Sequence, residues 1–144
     1  MRLYSNGKLL ISGEYVILDG ALSLAAPTLF GQYLEILKDD SKYIKWTSKN
    51  SNGKVWFQCK IYRENLELDK SSSSKISNTL IEIIKNIRDF NPNFLTNSGA
   101  SITTKLTFDK DWGLGSSSTL ISNLSKLAGI DPFKLNNRIF NGSG

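Results

Sequence analysis

The feature that most constrains this chain is a six-residue run, Gly113-Leu114-Gly115-Ser116-Ser117-Ser118, set between two different periodicities. Before it, Ala100, Ile102, Thr104, Leu106 and Phe108 alternate with Ser101, Thr103, Lys105 and Thr107, the period of a half-buried strand. After it, Leu120, Ile121, Leu124, Leu127 and Ala128 recur at helical steps, and Gly129 stops them. A strand that turns into a helix through two glycines can aim its backbone N–H groups inward, at the positive end of the helix dipole. That is a cradle for phosphate. Serine hydroxyls at the helix start can bond the phosphate or sit on a Mg²⁺ ion. No lysine follows the second glycine, so this is not a Walker A loop. Taken alone, the same residues also describe a serine-capped helix after a tight turn.

The rest of the chain predicts strands first, then helix, strand and helix. Residues 2–14 form an apolar segment that Asn6-Gly7 interrupts as a turn or bulge. Residues 30–37 are apolar on most of both faces, as in a strand well inside a sheet. Residues 43–47 and 55–62 flank an Asn52-Gly53 turn and read as a hairpin. Residues 64–74, ending in four serines, are polar and read as a loop. Between positions 75 and 90, Ile76, Leu80, Ile83, Ile84, Ile87 and Phe90 mark a helix with one buried face. Asp131-Pro132 then supplies an N-cap with proline at the first helical position. The order suits an α+β fold, a mixed sheet with helices packed on one face.

A second glycine-bracketed segment, Gly7-Lys8-Leu9-Leu10-Ile11-Ser12-Gly13-Glu14-Tyr15-Val16-Ile17-Leu18-Asp19-Gly20, holds one lysine and one glutamate. A lysine beside a transferred phosphoryl group can stabilise developing charge or lower the pKa of a substrate hydroxyl. A lysine that merely solvates a strand fits the same residues.

Composition removes other chemistries. With no histidine, a Ser-His-Asp mechanism is excluded, and a zinc site has no imidazole to use. Cys59 stands alone, so no internal disulfide forms. The longest apolar stretch, residues 21–26, is far short of the roughly 20 residues a membrane helix needs. No apolar signal-peptide core follows Met1, which points to the cytoplasm. The formal charge of +5 comes from lysines scattered singly, with no basic stripe, so neither nucleic acid nor membrane is the expected partner.

Together the two glycine-rich segments resemble the first and second motifs of the GHMP kinases, the family of galactokinase, homoserine kinase, mevalonate kinase and phosphomevalonate kinase. Gly-Glu-Tyr followed by Val-Ile-Leu-Asp-Gly-Ala is most similar to the mevalonate and phosphomevalonate kinase branch. The resemblance implies an ATP- and Mg²⁺-dependent kinase of a small-molecule substrate. It implies that Lys8 lies near the reacting groups and that Gly113, Leu114, Gly115, Ser116, Ser117 and Ser118 form the loop on the ATP phosphates, with Ser117 also on Mg²⁺. Ser118 stands where alanine is commoner. Glu14 and Tyr15 fall at substrate-contacting positions, against the plainer alternatives of an ion pair and a packed aromatic. Asp109-Lys110-Asp111-Trp112 departs from the proline and small residues usual before the loop. Trp112 reads either as a cover for adenine or ribose or as a core wedge. Trp46 and Trp56 are stacking candidates, with sheet packing as the alternative.

The last four residues, Asn141-Gly142-Ser143-Gly144, resemble the start of the family's third element, in which an aspartate base follows. A linker scar is the other reading. On the resemblance these 144 residues are the N-terminal, nucleotide-binding domain of a larger kinase. They are expected to be inactive alone, with exposed core surface that can drive homodimer formation. A non-catalytic nucleotide- or metabolite-binding relative stays open as a second reading. An RNA-binding module is a third, because the family's N-terminal fold resembles a ribosomal-protein domain.

Overall fold

Two hydrophobic periods, two residues on the strands and three to four on the helices, are answered by a sheet with one covered face. The computed structural model describes residues 1–12, Leu22 and residues 24–140. Six strands, β1 (Arg2–Ser12), β2 (Leu24–Asp39), β3 (Tyr43–Lys49), β4 (Val55–Tyr62), β5 (Leu68–Ser71) and β6 (Gly99–Leu106), form one sheet in the order β1-β2-β6-β3-β4-β5. β3 and β6 are parallel, and every other neighbouring pair is antiparallel. The helices are α1 (Ser74–Phe90), α2 (Ser116–Ala128) and α3 (Pro132–Phe140). The expectations for Glu14, Tyr15 and residues 141–144 lie outside the described residues.

Alternation decides which face the helices cover. On β3 the side chains of Ile44, Trp46 and Ser48 are buried while those between them are not, and β6 repeats this with Ala100, Ile102, Thr104 and Leu106. Leu34 and Ile36 of β2 and Phe57, Cys59 and Ile61 of β4 complete the same face. Against it pack Leu80, Ile83, Ile84 and Ile87 of α1 and Ile121 and Leu124 of α2. Each large side chain of this kind contributes about 1.5–3 kcal/mol by leaving water. At the far end, Asn91 closes α1 through its N–H to the Ile87 carbonyl, and its side-chain amide donates to the Ala128 carbonyl at 2.9 Å. One residue thus ties the ends of α1 and α2 together.

Three expectations need correction. Residues 64–74 contain β5, a short edge strand paired only with β4; it is held by backbone bonds, so no side-chain period announced it. β2 lies inside the sheet, but its second face is open, with Leu37 70% exposed, because the helices cover one side only. Phe90, placed on the apolar face of α1, is 41% exposed and receives the Arg138 guanidinium over its ring. At the hairpin, Gly53 takes the left-handed backbone (φ 87°) that the Asn-Gly turn needs.

Candidate functional site

The six-residue run does connect β6 to α2. After β6, Phe108 is buried, residues Lys110–Trp112 make one 3-10 turn, and Gly113 and Gly115 take φ of 68° and 78°. These left-handed conformations favour glycine because other residues bring Cβ against the backbone. Gly115 caps α2, and no side chain accepts from the first turn. Among the described residues the N–H groups of Gly115, Ser116, Ser117 and Ser118 have no acceptor. The hydroxyls of Ser116, Ser117 and Ser118 have no partner either, so no serine acts as the cap that the plainer sequence reading required. An N-terminus left this way, partly charged and uncapped, has the donors and the dipole that an anion needs.

β1 delivers Lys8 to this loop. The pairing of β1 with β2 slips between Asn6 and Lys8, a bulge of the kind Asn6-Gly7 signalled. A bulge shifts the alternation by one, so a side chain that would face away is re-aimed. Lys8 lies along Gly115: a Cβ built on that glycine would sit 3.4 Å from Lys8 Cγ and 3.6 Å from its Cε. The Lys8 N–H donates to the Leu114 carbonyl at 3.0 Å, and no described carboxylate pairs with its ammonium.

Below the loop a buried polar network joins β1, β2 and α2. Ser5 hydroxyl stands 2.9 Å from both Ser122 Oγ and Asn123 Oδ1. Asn123 Nδ2 donates to the Gln32 carbonyl at 2.8 Å, and the Thr119 hydroxyl donates to the Ser116 carbonyl at 2.8 Å, with Gln32 Oε1 3.2 Å away. Lys126, in the last turn of α2, donates to the Tyr4 carbonyl at 2.9 Å. The network fixes the loop's helix against the strand that carries Lys8.

Beside the first turn of α2 opens a cavity of about 490 Å³, between the covered face of the sheet and α1. Trp46, Trp56 and Phe57 form apolar wall, Ser116 and Ser117 face it from the loop, and Lys75 and Lys110 are its charged groups. Among the described residues no acidic side chain lines it. Trp46 is 2% exposed and belongs to both the sheet core and the cavity wall; Trp56 is 38% exposed with Lys110 Nζ 4.8 Å over its ring. Trp112 is neither a core wedge nor part of this wall: it is 58% exposed and meets Phe30 edge-on at 5.5 Å. Thr104 fell on the apolar face of its strand in the sequence pattern, but neither its partner nor the roles of Gln32 and Ser48 carried a sequence signal, because isolated polar residues in strand patterns look alike until the sheet brings them together.

No family model matches the sequence, and no curated protein matches it. Solved structures do. The chain is similar to the Methanococcus jannaschii mevalonate kinase, 14% identical with a TM-score of 0.66, over 100% of this chain and 48% of that one. It is similar to Lactococcus lactis galactokinase complexed with galactose, at 17% identity and a TM-score of 0.69, over 99% and 38%. The Streptococcus pneumoniae phosphomevalonate kinase in complex with phosphomevalonate and AMPPNP matches at 20% identity and a TM-score of 0.65, over 96% and 42%. The chain spans less than half the length of each of these structures. At such identities the likeness concerns the fold: the α+β mixed sheet with helices on one face is the fold found in GHMP-family kinases.

Proposed function

We propose that this chain binds the phosphates of ATP on the uncapped N-terminus of α2 and forms the nucleotide-binding part of a GHMP-type kinase. The observation that carries the reading is the run of four acceptorless N–H groups at Gly115–Ser118, opening beside a cavity with aromatic walls, two lysines and no carboxylate. A triphosphate meets the amides, and its base is of a size for the cavity. The Ser117 hydroxyl, exposed and without an intramolecular partner, fits a Mg²⁺ ion that takes most of its remaining oxygens from phosphates and water. When bound, that ion neutralises phosphate charge.

Phosphoryl transfer asks the protein mainly for positioning and electrostatics. The amides hold the donor, the buried network keeps α2 fixed, and Lys8 places a cation beside the loop. The acceptor is proposed to be a hydroxyl or phosphate of a small metabolite, of the mevalonate or phosphomevalonate class; the Gly-Glu-Tyr sequence and the similar structures support this choice. The same site also serves a binder without turnover.

The test is calorimetric titration of Mg-ATP beside a coupled ADP-release assay with mevalonate and phosphomevalonate, run on these 144 residues and on the whole gene product. Binding by both, with turnover confined to the whole product, is expected. ATP binding without turnover by the whole product selects the non-catalytic reading, and no ATP binding by either removes the nucleotide site.

A further inference from the structure

The floor of the cavity holds a hydrogen-bond donor that the protein does not use. Ser48 of β3 and Thr104 of β6 are cross-strand partners, 4% and 1% exposed, and both line the cavity. Trp46 Nε1–H donates to Ser48 Oγ at 3.0 Å, and the Thr104 hydroxyl stands 3.0 Å from the same oxygen. Three donor hydrogens therefore meet two hydroxyl oxygens. The indole uses one lone pair of Ser48, and one hydroxyl donates to the other. Whichever way that second bond runs, one hydroxyl hydrogen is left without an acceptor among the described residues. With no carboxylate among the described lining residues, none of them stands ready to take it. A buried donor left without an acceptor is costly, so such a group favours an occupant that brings one.

We propose that the Ser48–Thr104 pair is a base-reading device, donating its free hydrogen to a ring-nitrogen acceptor of a purine held between the cavity's aromatic walls. This rests on the nucleotide reading above and deepens it. The phosphates on α2 supply affinity without regard to the base; the hydroxyl pair supplies discrimination. The indole of Trp46 and the bond between the hydroxyls occupy two lone pairs of the pair, and one hydroxyl hydrogen stays free to donate.

The experiment titrates wild type, Thr104→Val and Ser48→Ala with Mg-ATP and with its 1-deaza, 3-deaza and 7-deaza analogues, each replacing one ring acceptor by C–H. Wild type is expected to lose about tenfold in affinity for one analogue, the value of one hydrogen bond. Whichever variant removes the hydroxyl that carries the free hydrogen, Ser48→Ala or Thr104→Val, should lose a similar factor for ATP and be indifferent to that same replacement. Equal wild-type affinity for all three analogues, or losses that multiply in both Ser48→Ala and Thr104→Val, would overturn the device while leaving the nucleotide site standing. No binding of ATP by wild type overturns both. Should either variant fail to fold, the wild-type analogue series decides alone.

Discussion

The Lys8 N–H and the Leu114 carbonyl meet at 3.0 Å, so the bulge in β1 is fastened directly to the loop that precedes α2. The contact is close on both sides of the bulge: a Cβ at Gly7 would stand 2.7 Å from that same carbonyl oxygen, 3.1 Å from Thr28 Oγ1 and 3.2 Å from the Phe30 carbonyl. Gly7→Ala therefore has to move backbone, and is expected to cost about 2–3 kcal/mol. Gly113→Ala meets no atom within 4 Å and carries only the strain of φ 68°, about 1 kcal/mol. Urea midpoints of the two variants rank them; a Gly7→Ala cost no larger than that of Gly113→Ala would mean the loop yields freely.

Lys8 itself is expected to act on the transition state. In a turnover assay of the whole gene product under the proposed kinase reading, Lys8→Ala should lower kcat by about 10²-fold or more, with the KM for ATP changing only a few-fold. The reverse pattern, an intact kcat and a raised KM, would make Lys8 a ground-state phosphate ligand.

Asn123 is fully buried and bonded at both ends of its amide, to Ser5 and to the Gln32 carbonyl. Asn123→Ala leaves those groups unpaired around a void and should destabilise by about 2–4 kcal/mol. Ser122→Ala removes one shared contact on a half-buried hydroxyl and should cost under about 1 kcal/mol. Chemical denaturation separates them, and similar losses for both would refute the network's asymmetry.

Cys59 faces the core at 6% exposure, and burial pushes its thiol up to about 11, the Ser77 hydroxyl opposing only in part. Thiol reagents attack the thiolate, so at pH 8 the folded protein should react about 10²-fold or more slower than the urea-unfolded chain. A raised folded pKa stabilises fully below the unfolded thiol's pKa of about 8.5. That contribution is lost as pH rises from there through about 11. Fast labelling of folded protein at pH 8 would show that the core opens there.

The helices α1 and α2, the hairpin and β6 were legible because each carries its own period and its own stop signal, and the loop joining β6 to α2 because two glycines between a strand and a helix leave few other conformations. β5 was not, since an edge strand paired through backbone alone prints nothing in side chains. Trp112 was misplaced for a related reason. Large apolar residues favour the interior on average, yet which of them finds a covering element depends on where the helices land, and none lands over Trp112. The cavity, the Ser5–Asn123–Gln32 network and the Ser48–Thr104 pair were decided entirely by the tertiary fold. Ser48 and Thr104 stand 56 positions apart, and Ser5 and Asn123 118 apart. A lone polar residue in a strand carries the same local signal whether it faces water or a partner across the sheet. Local periodicity gave every element but β5 and their order; only the strand register and the seating of α2 on β1 and β2 brought the donors, the lysine and the aromatic walls to one place.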